Sequence, residues 1–422
     1  MSRNRITPLP AALAFSALNS FAAGTATVGV FFVSRKAFGF DEAQNYWLGL
    51  SVGATYVVGA LNAARVPRAL ARIGAFAHPR AYLFGLTALL ALLCLAPFLR
   101  PQGWVLFLFL GLYAPITGLF WPLVESYLSG GRRGAALRSA VGRFNVVWSA
   151  GIALGLVVET FFLDERAPPG RELWIFPLIA AIHAASTLAL CAFPQEPARH
   201  EHDAHAVPAS YRGLLRIHRL LLALAYLVMY ALSPYLPKLV ETLDVSALWR
   251  TPLASVWMFA RVVTFLCMER WHGWHGRFGT ALAGASALVL GFAGIVLGPL
   301  ASSAGLSLAL FVAGLVAFGA GAAALYTAAL YYVMEVGAAG VDAGGSHEAL
   351  IGLGYTIGPA CGLLVAELAG RGWVGGAAKD GLLLGIVAAL ALAVLLVAAF
   401  VWRRLAAAPR SGGPSTLEES AG

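Results

Sequence analysis

Apolar runs long enough to cross a bilayer recur along this chain between short polar gaps, and they fall into two sets of six. The first set covers residues 11–33, 46–64, 82–99, 105–128, 144–162 and 173–193. The second covers 220–236, 252–268, 279–300, 306–334, 349–368 and 381–401. A hydrocarbon core needs roughly 20 mostly apolar residues per helix. Unpaired backbone cannot be tolerated in lipid, so each run must be a helix. The pattern therefore predicts an all-α integral membrane protein with twelve transmembrane helices in two six-helix bundles.

The polar stretch between the two sets, residues 194–213, is rich in proline, charge and histidine and reads as a flexible linker. It divides the chain into a first bundle (1–193), a second bundle (214–404) and a polar tail (405–422). His200, His202 and His205 in the linker raise the question of a metal. That segment has no cysteine, and no metal site or other cofactor is expected. Residues 11–33 exceed a signal-peptide core and are followed by more spans, so the first helix is expected to remain uncleaved.

Composition agrees with membrane insertion. The hydrophobic fraction is 59% and only 12% of residues are charged, against about 25% charged in soluble domains. The net charge of +9 is a matter of position and gives no footing for nucleic acid. With the amino terminus placed inside, 19 of the 29 Lys and Arg fall in inner segments, nine fall in outer ones, and Arg261 lies within a span. This is the positive-inside bias, so both termini are expected in the cytoplasm. Cys94, Cys191, Cys267 and Cys361 lie within separate spans and read as small packing residues.

The halves echo each other. The fifth span carries Gly151 and Gly155, and the eleventh carries Gly358 and Gly362. Glu159 and Glu367 follow eight and nine residues after the first glycine of each pair and are expected at water-reached helix ends. Duplicated halves of this kind are expected of transporters, although small residues four apart also serve ordinary helix packing.

Twelve spans, a six-plus-six split and a central cytoplasmic linker resemble the major facilitator superfamily over nearly the whole chain. The local motifs resemble it in part. The loop after the second span reads Pro67-Arg68-Ala69-Leu70-Ala71-Arg72-Ile73-Gly74, where Arg72 and Gly74 fit the family pattern but Ala71 replaces the acid. The matching loop of the second half keeps an acid–arginine pair, Glu269-Arg270. The exporter signature of the fifth span is not met, because Leu156 stands where proline belongs. The resemblance implies a carrier whose first, fourth, seventh and tenth helices line a central cavity. The fold alone does not give the substrate.

Charges inside spans mark pathways or ion pairs, because a charge at the bilayer centre is costly. Arg261 lies midway along its span with Trp257 and Thr264 one turn to either side. Two readings stay open for it, a cavity wall that grips an anionic or polar group and a structural partner for a carboxylate. Thr117, Trp121 and Glu125 form a stripe on the fourth span. Glu125 is read as a gate salt bridge with Arg132, Arg133 or Arg143, or else as a proton carrier. Glu348, beside His347, is expected to cap the start of the eleventh helix or to act in gating, and mid-span His183 is expected to pack. Asn19, Thr27, Tyr226, Tyr230, Ser233, Tyr326 and Tyr331 mark further polar or aromatic faces. The candidate binding set is Asn19, Thr27, Trp121, Tyr226, Tyr230, Trp257, Arg261 and Tyr326. The candidate coupling and gating set is Glu125, Arg72, Arg143, Glu269, Arg270 and Glu348.

The leading functional expectation is a monomeric secondary carrier for a small solute in a bacterial inner membrane, with protons as candidate coupling ions. ATP-driven transport is not expected, since no phosphate-binding loop is present. One alternative is an intramembrane enzyme on a lipid-linked substrate, for which the paired acids Asp41-Glu42 and Asp164-Glu165 lie only in short outer loops. The other is a non-transporting receptor or assembly factor on the same scaffold.

Overall fold

The computed structural model describes residues 5–132, 134–164, 166, 168–198, 208–336 and 341–407. The linker histidines fall outside them. Among the described residues the chain is helical and has no strand. Eleven helices are by themselves long and apolar enough to span a membrane. Glu42–Leu61, with the bent segment Arg65–Arg72 at 58°, completes twelve.

In chain order the first six are α1 (Leu9–Phe38), α2 (Glu42–Leu61), α3 (Pro79–Leu99), α4 (Gly103–Ser129), α5 (Gly134–Leu163) and α6 (Arg171–Leu190). The second six are α7 (Ala209–Leu232), α8 (Ala247–Arg270), α9 (Phe278–Leu300), α10 (Ala304–Val336), α11 (Val341–Gly370) and α12 (Ala377–Ala407).

Three elements differ from the sequence expectation. α1 runs on to Phe38 and contains a π-turn at Thr25–Gly29. It stops at Gly39, whose φ of 66° is the left-handed helix-ending conformation. α7 begins at Ala209, so the end of the expected linker is helical; its arginines occupy an amphipathic helix that apolar-run reading starts too late. α11 begins at Val341, which puts Glu348 two turns inside the helix and removes its expected role as an amino-terminal cap. The start of α2 is legible locally, because Asp41 and Gln44 form a reciprocal capping box.

The two six-helix bundles meet along two seams, α2 against α11 and α5 against α8. The expected glycine echo holds for Gly358 and not for Gly362, which faces the Tyr46 ring of α2; Gly354 takes its place in the repeated contact. Gly151 and Gly155 press α5 onto the backbone of α1, and Gly354 and Gly358 press α11 onto the backbone of α7. Backbone approach this close requires residues without side chains. Gly53 has the backbone of Tyr355 and Thr356 against it across the α2–α11 seam, and Gly59 has that of Pro115 within the first bundle.

Helix alternation puts the start of α1, the end of α6, the start of α7 and the end of α12 on one face, here the linker face. There Gln195 O accepts from Arg80 N (3.2 Å) and Tyr127 Oη (2.9 Å), and the Arg132 guanidinium donates to Thr7 O. The opposite, distal face is tied by pairs that cross between the bundles. Arg35 meets Glu241 at 2.6 Å, and Glu42 receives both Lys238 (3.0 Å) and Lys379.

Candidate functional site

A cavity of ≈ 90 Å³ lies between the bundles and takes walls from both. α1 contributes Ser20 and Thr27, α2 Tyr56, and α4 the stripe Thr117, Trp121 and Glu125. α5 adds Phe144 and Trp148, α7 Tyr226, α10 Tyr326, and α11 Glu348, Ile351 and Tyr355. The α4 stripe reaches the cavity because residues four apart share one helix face. α4 carries Pro115 and Pro122 in its interior, which removes backbone donors along the same stretch.

Two carboxylates from opposite bundles share this cavity. Glu125 is 6% exposed and Glu348 5%. Glu348 accepts a hydrogen bond from the Tyr56 hydroxyl across the α2–α11 seam. Glu125 lies against Gly344 of α11, where an added Cβ would stand 3.2 Å from its Oε2. The expected salt bridge from Glu125 to Arg132 or Arg143 is not formed. The Arg132 guanidinium is engaged by the carbonyls of Leu128 and Thr7, and Arg143 is exposed. Arg133 lies outside the described residues. The walls of the cavity hold no Lys, Arg or His.

Arg261 is not on those walls. It is 1% exposed and caged by aromatic rings. Its guanidinium carbon sits 4.5 Å from the Trp148 ring centre, 5.6 Å from Trp257 and 5.7 Å from Phe265. Trp148 belongs to α5 and the other two to α8, so the cage spans the seam. Among the described residues no carboxylate pairs with Arg261, so the expected ion pair is not formed. Cation–π contact with the aromatic rings stands in its place. Trp257 packs on Phe318 behind the cavity.

Asn19 is also misplaced by sequence reading. Its amide donates to Phe15 O (2.8 Å) and Ser186 Oγ (2.9 Å), and its oxygen meets His183 Nδ1 at 2.8 Å. His183 Nε2 lies 2.9 Å from Tyr113 Oη, so these polar atoms lock α1 to α6 away from the cavity. Tyr230 sits one layer back, its ring 3.7 Å from that of Tyr355. Thr27, Trp121, Tyr226 and Tyr326 do face the cavity.

Of the expected gating residues on the linker face, Arg72 and Arg270 are exposed. Glu269 packs against Gly142 across the α5–α8 seam and lines a second cavity of ≈ 250 Å³. Tyr56, Trp148 and Tyr355 are not among the expected binding residues, which lie on the first, fourth, seventh, eighth and tenth helices, whereas these three lie on the second, fifth and eleventh. A mid-span tyrosine or tryptophan beside small residues was the available signal. Sequence reading also missed the distal ion pairs, whose charges lie in separate short loops that only folding brings together.

The sequence profile of the Major Facilitator Superfamily matches residues 12–346. The fold is similar to a bacterial homologue of the human lysosomal transporter Spinster, solved inward-facing and unoccupied. That match has a TM-score of 0.62 and 16% identity, and covers 94% of this chain and 96% of the other. It is similar to the nucleoside transporter NupG at a TM-score of 0.64 and 12% identity, covering 94% and 99%. It is also similar to the human organic anion transporter MFSD10, at 0.59 and 15%, covering 93% and 98%. At these identities the likenesses speak to the fold alone. No functionally curated protein matches the sequence significantly.

Proposed function

We propose, from the premise that the chain belongs to the Major Facilitator Superfamily, that it is a proton-coupled secondary carrier of a small neutral or cationic solute with an apolar or aromatic body. It is a membrane transporter of alternating-access type, as its family implies. The observation that carries the finer reading is the central cavity. Aromatic rings of both bundles surround two carboxylates that, among the described residues, no arginine neutralises. A carboxylate in such a place favours the bound proton when dry and releases it when wet. Solute and proton can therefore compete for, or share, Glu125 and Glu348. Moving Arg261 off the walls and into an aromatic cage argues against an anionic solute. We take Tyr56, Trp121, Trp148, Tyr226, Tyr326 and Tyr355 as the solute-contacting set, with Thr27 and Thr117 as hydrogen-bonding partners.

The moving bodies in this reading are residues 1–193 and 214–404, joined by 194–213. The linker face is the cytoplasmic face of a bacterial inner membrane, and the carrier works as a monomer. Distal closure rests on the ion pairs of Arg35 and Glu42 with the second bundle. The enzyme alternative loses one of its two acid pairs, because Asp41 caps α2 and Glu42 is paired with two lysines.

The test is transport in proteoliposomes, after a thermal-shift screen of neutral and cationic solutes has found a ligand. With the wild type, a pH gradient should drive accumulation. Glu125→Gln should abolish uphill accumulation and spare solute exchange. Accumulation by Glu125→Gln under a pH gradient would reduce that residue to a packing role. Absence of any flux by the wild type, with a ligand in hand, would favour the receptor reading.

A further inference from the structure

Glu159 is a third buried acid, and the central cavity does not explain it. Sequence reading put it at a water-reached helix end. In the structure it is 0% exposed, and both carboxylate oxygens are buried without a hydrogen-bond partner. Its counterpart in the glycine echo, Glu367, is exposed. The difference lies in what α5 packs against. Gly151, Gly155 and Glu159 form one face of α5 laid along α1, and Glu159 meets α1 at Gly29, the last residue of the π-turn. A Cβ at Gly29 would collide with the carboxylate, so the glycine makes the room that Glu159 fills. A π-turn carries an extra residue at a widened point of the helix and commonly marks a functional position. The described part of α7, the symmetry mate of α1, has none.

Among the described residues no basic group hydrogen-bonds Glu159. On α1, Arg35 is paired with Glu241, and Lys36 donates to Leu163 O (2.6 Å) and Asp164 O (3.0 Å). On α8 Arg250 stands beside Thr251, and before α6 come Arg171 and Glu172; none of them hydrogen-bonds Glu159. Glu125, the only acid of α4, lies near the other end of its helix. The neighbouring hydroxyls are engaged as well. Thr25 donates to Phe21 O at 3.0 Å, and Thr160 shares a hydrogen bond with Thr251. No ring of oxygens remains to coordinate a metal ion, whereas a proton needs only the carboxyl itself. A route exists for it. A distal vestibule of ≈ 520 Å³ has Leu163 and Thr251 in its wall. Leu163 is one helical turn from Glu159, about 6 Å along the axis.

We propose that Glu159 is a proton-binding site separate from the central cavity, protonated while the distal face is closed and ionised when the vestibule opens to it, with the π-turn of α1 as the element that yields. A buried ion without partners is strongly unfavourable. Ionisation therefore has to draw in water, which parts α1 from α5 at this level and loosens the distal closure. The proposal rests on the alternating-access reading but not on solute coupling through Glu125, and it is tested on empty protein.

The experiment is pulsed spin-label distance measurement in a background freed of the four native cysteines, with labels at Arg166→Cys and Ser246→Cys on the distal loops of the two bundles. The pH is stepped from about 5 to about 9, which spans ordinary and strongly shifted carboxyl titration. The distance should lengthen as pH rises. Glu159→Gln should hold the short, low-pH distance throughout, and Glu367→Gln should behave as the wild type. In parallel, the infrared spectrum of the wild type at neutral pH should contain a protonated-carboxyl band. That band should lose a component in Glu159→Gln, the part owed to Glu125 and Glu348 remaining, and the lost component should return shifted in Glu159→Asp, which keeps an acid should the glutamine variant fail to fold. A wild-type distance indifferent to pH, a glutamine variant that responds like the wild type, or absence of the band would overturn the proposal. So would sodium at fixed pH reproducing the effect of acid, which would make this a metal-ion site.

Discussion

Arg261 shows how one residue type supports different chemistry according to what folding puts beside it. A lone arginine in mid-span is costly in lipid, and that cost predicts a partner without naming it. The partner is a set of aromatic faces, with Trp148 at 4.5 Å and contributed by the other bundle. Breaking a buried ion pair typically costs 3–5 kcal/mol because it strands the opposite charge, whereas a desolvated cation–π contact is worth about 2 kcal/mol. Arg261→Met should therefore lower stability only modestly. A double-mutant cycle with Trp148→Leu should return a coupling of about 1–2 kcal/mol in thermal or denaturant unfolding. A loss at the ion-pair level with no coupling to Trp148 would point to an acid in contact with Arg261.

At the scale of helices, glycine placement sets how closely neighbours approach. Gly59 faces the backbone of Pro115, whereas Gly111 has nothing within 4 Å of an added Cβ. Both are helix-interior glycines, so propensity alone favours alanine at either by about 1 kcal/mol. Overpacking against backbone typically costs 1–3 kcal/mol, enough to reverse the sign at Gly59. Gly59→Ala should lower the unfolding temperature and Gly111→Ala should leave it equal or higher. Equal responses would mean that α2 and α4 can shift apart freely. The α1 π-turn belongs to this scale too. The apolar run predicts a helix there, but the extra residue reflects packing against Glu159 and nothing in the local pattern of Thr25–Gly29 announces it.

At the scale of the molecule, charge is sorted by face. Arginine dominates the linker face, while the three lysines, Lys36, Lys238 and Lys379, all lie on the distal face and all make contacts there. The positive-inside bias orients such a chain during insertion. Reporter fusions within the linker and after Arg404 should both report cytoplasm, and a fusion after Arg166 should report the opposite side. A cytoplasmic signal at Arg166, or an external one in the linker, would reverse or break the twelve-helix topology and with it the assignment of the distal face as outer.

The sequence by itself determined the helical class, the twelve spans, the break between two halves and the family. Each of these follows from a repeated one-dimensional signal, in which apolar length, loop charge and glycine spacing all report the cost of placing backbone and charge in lipid. It also determined part of the cavity. Thr117, Trp121 and Glu125 share a face by helical spacing alone, and Tyr226 and Tyr326 lie on the helices that the family resemblance singles out. Tertiary structure alone decided what each buried charge meets. Tyr56 reaches Glu348 across 292 positions of sequence, Trp148 covers Arg261 from the other bundle, and Asn19 turns from the cavity to His183. Glu159 lies buried beside a glycine of α1 while Glu367, its echo, reaches solvent. Such partners come from helix rotation and crossing, which side-chain packing sets and which a hydrophobic run leaves undetermined.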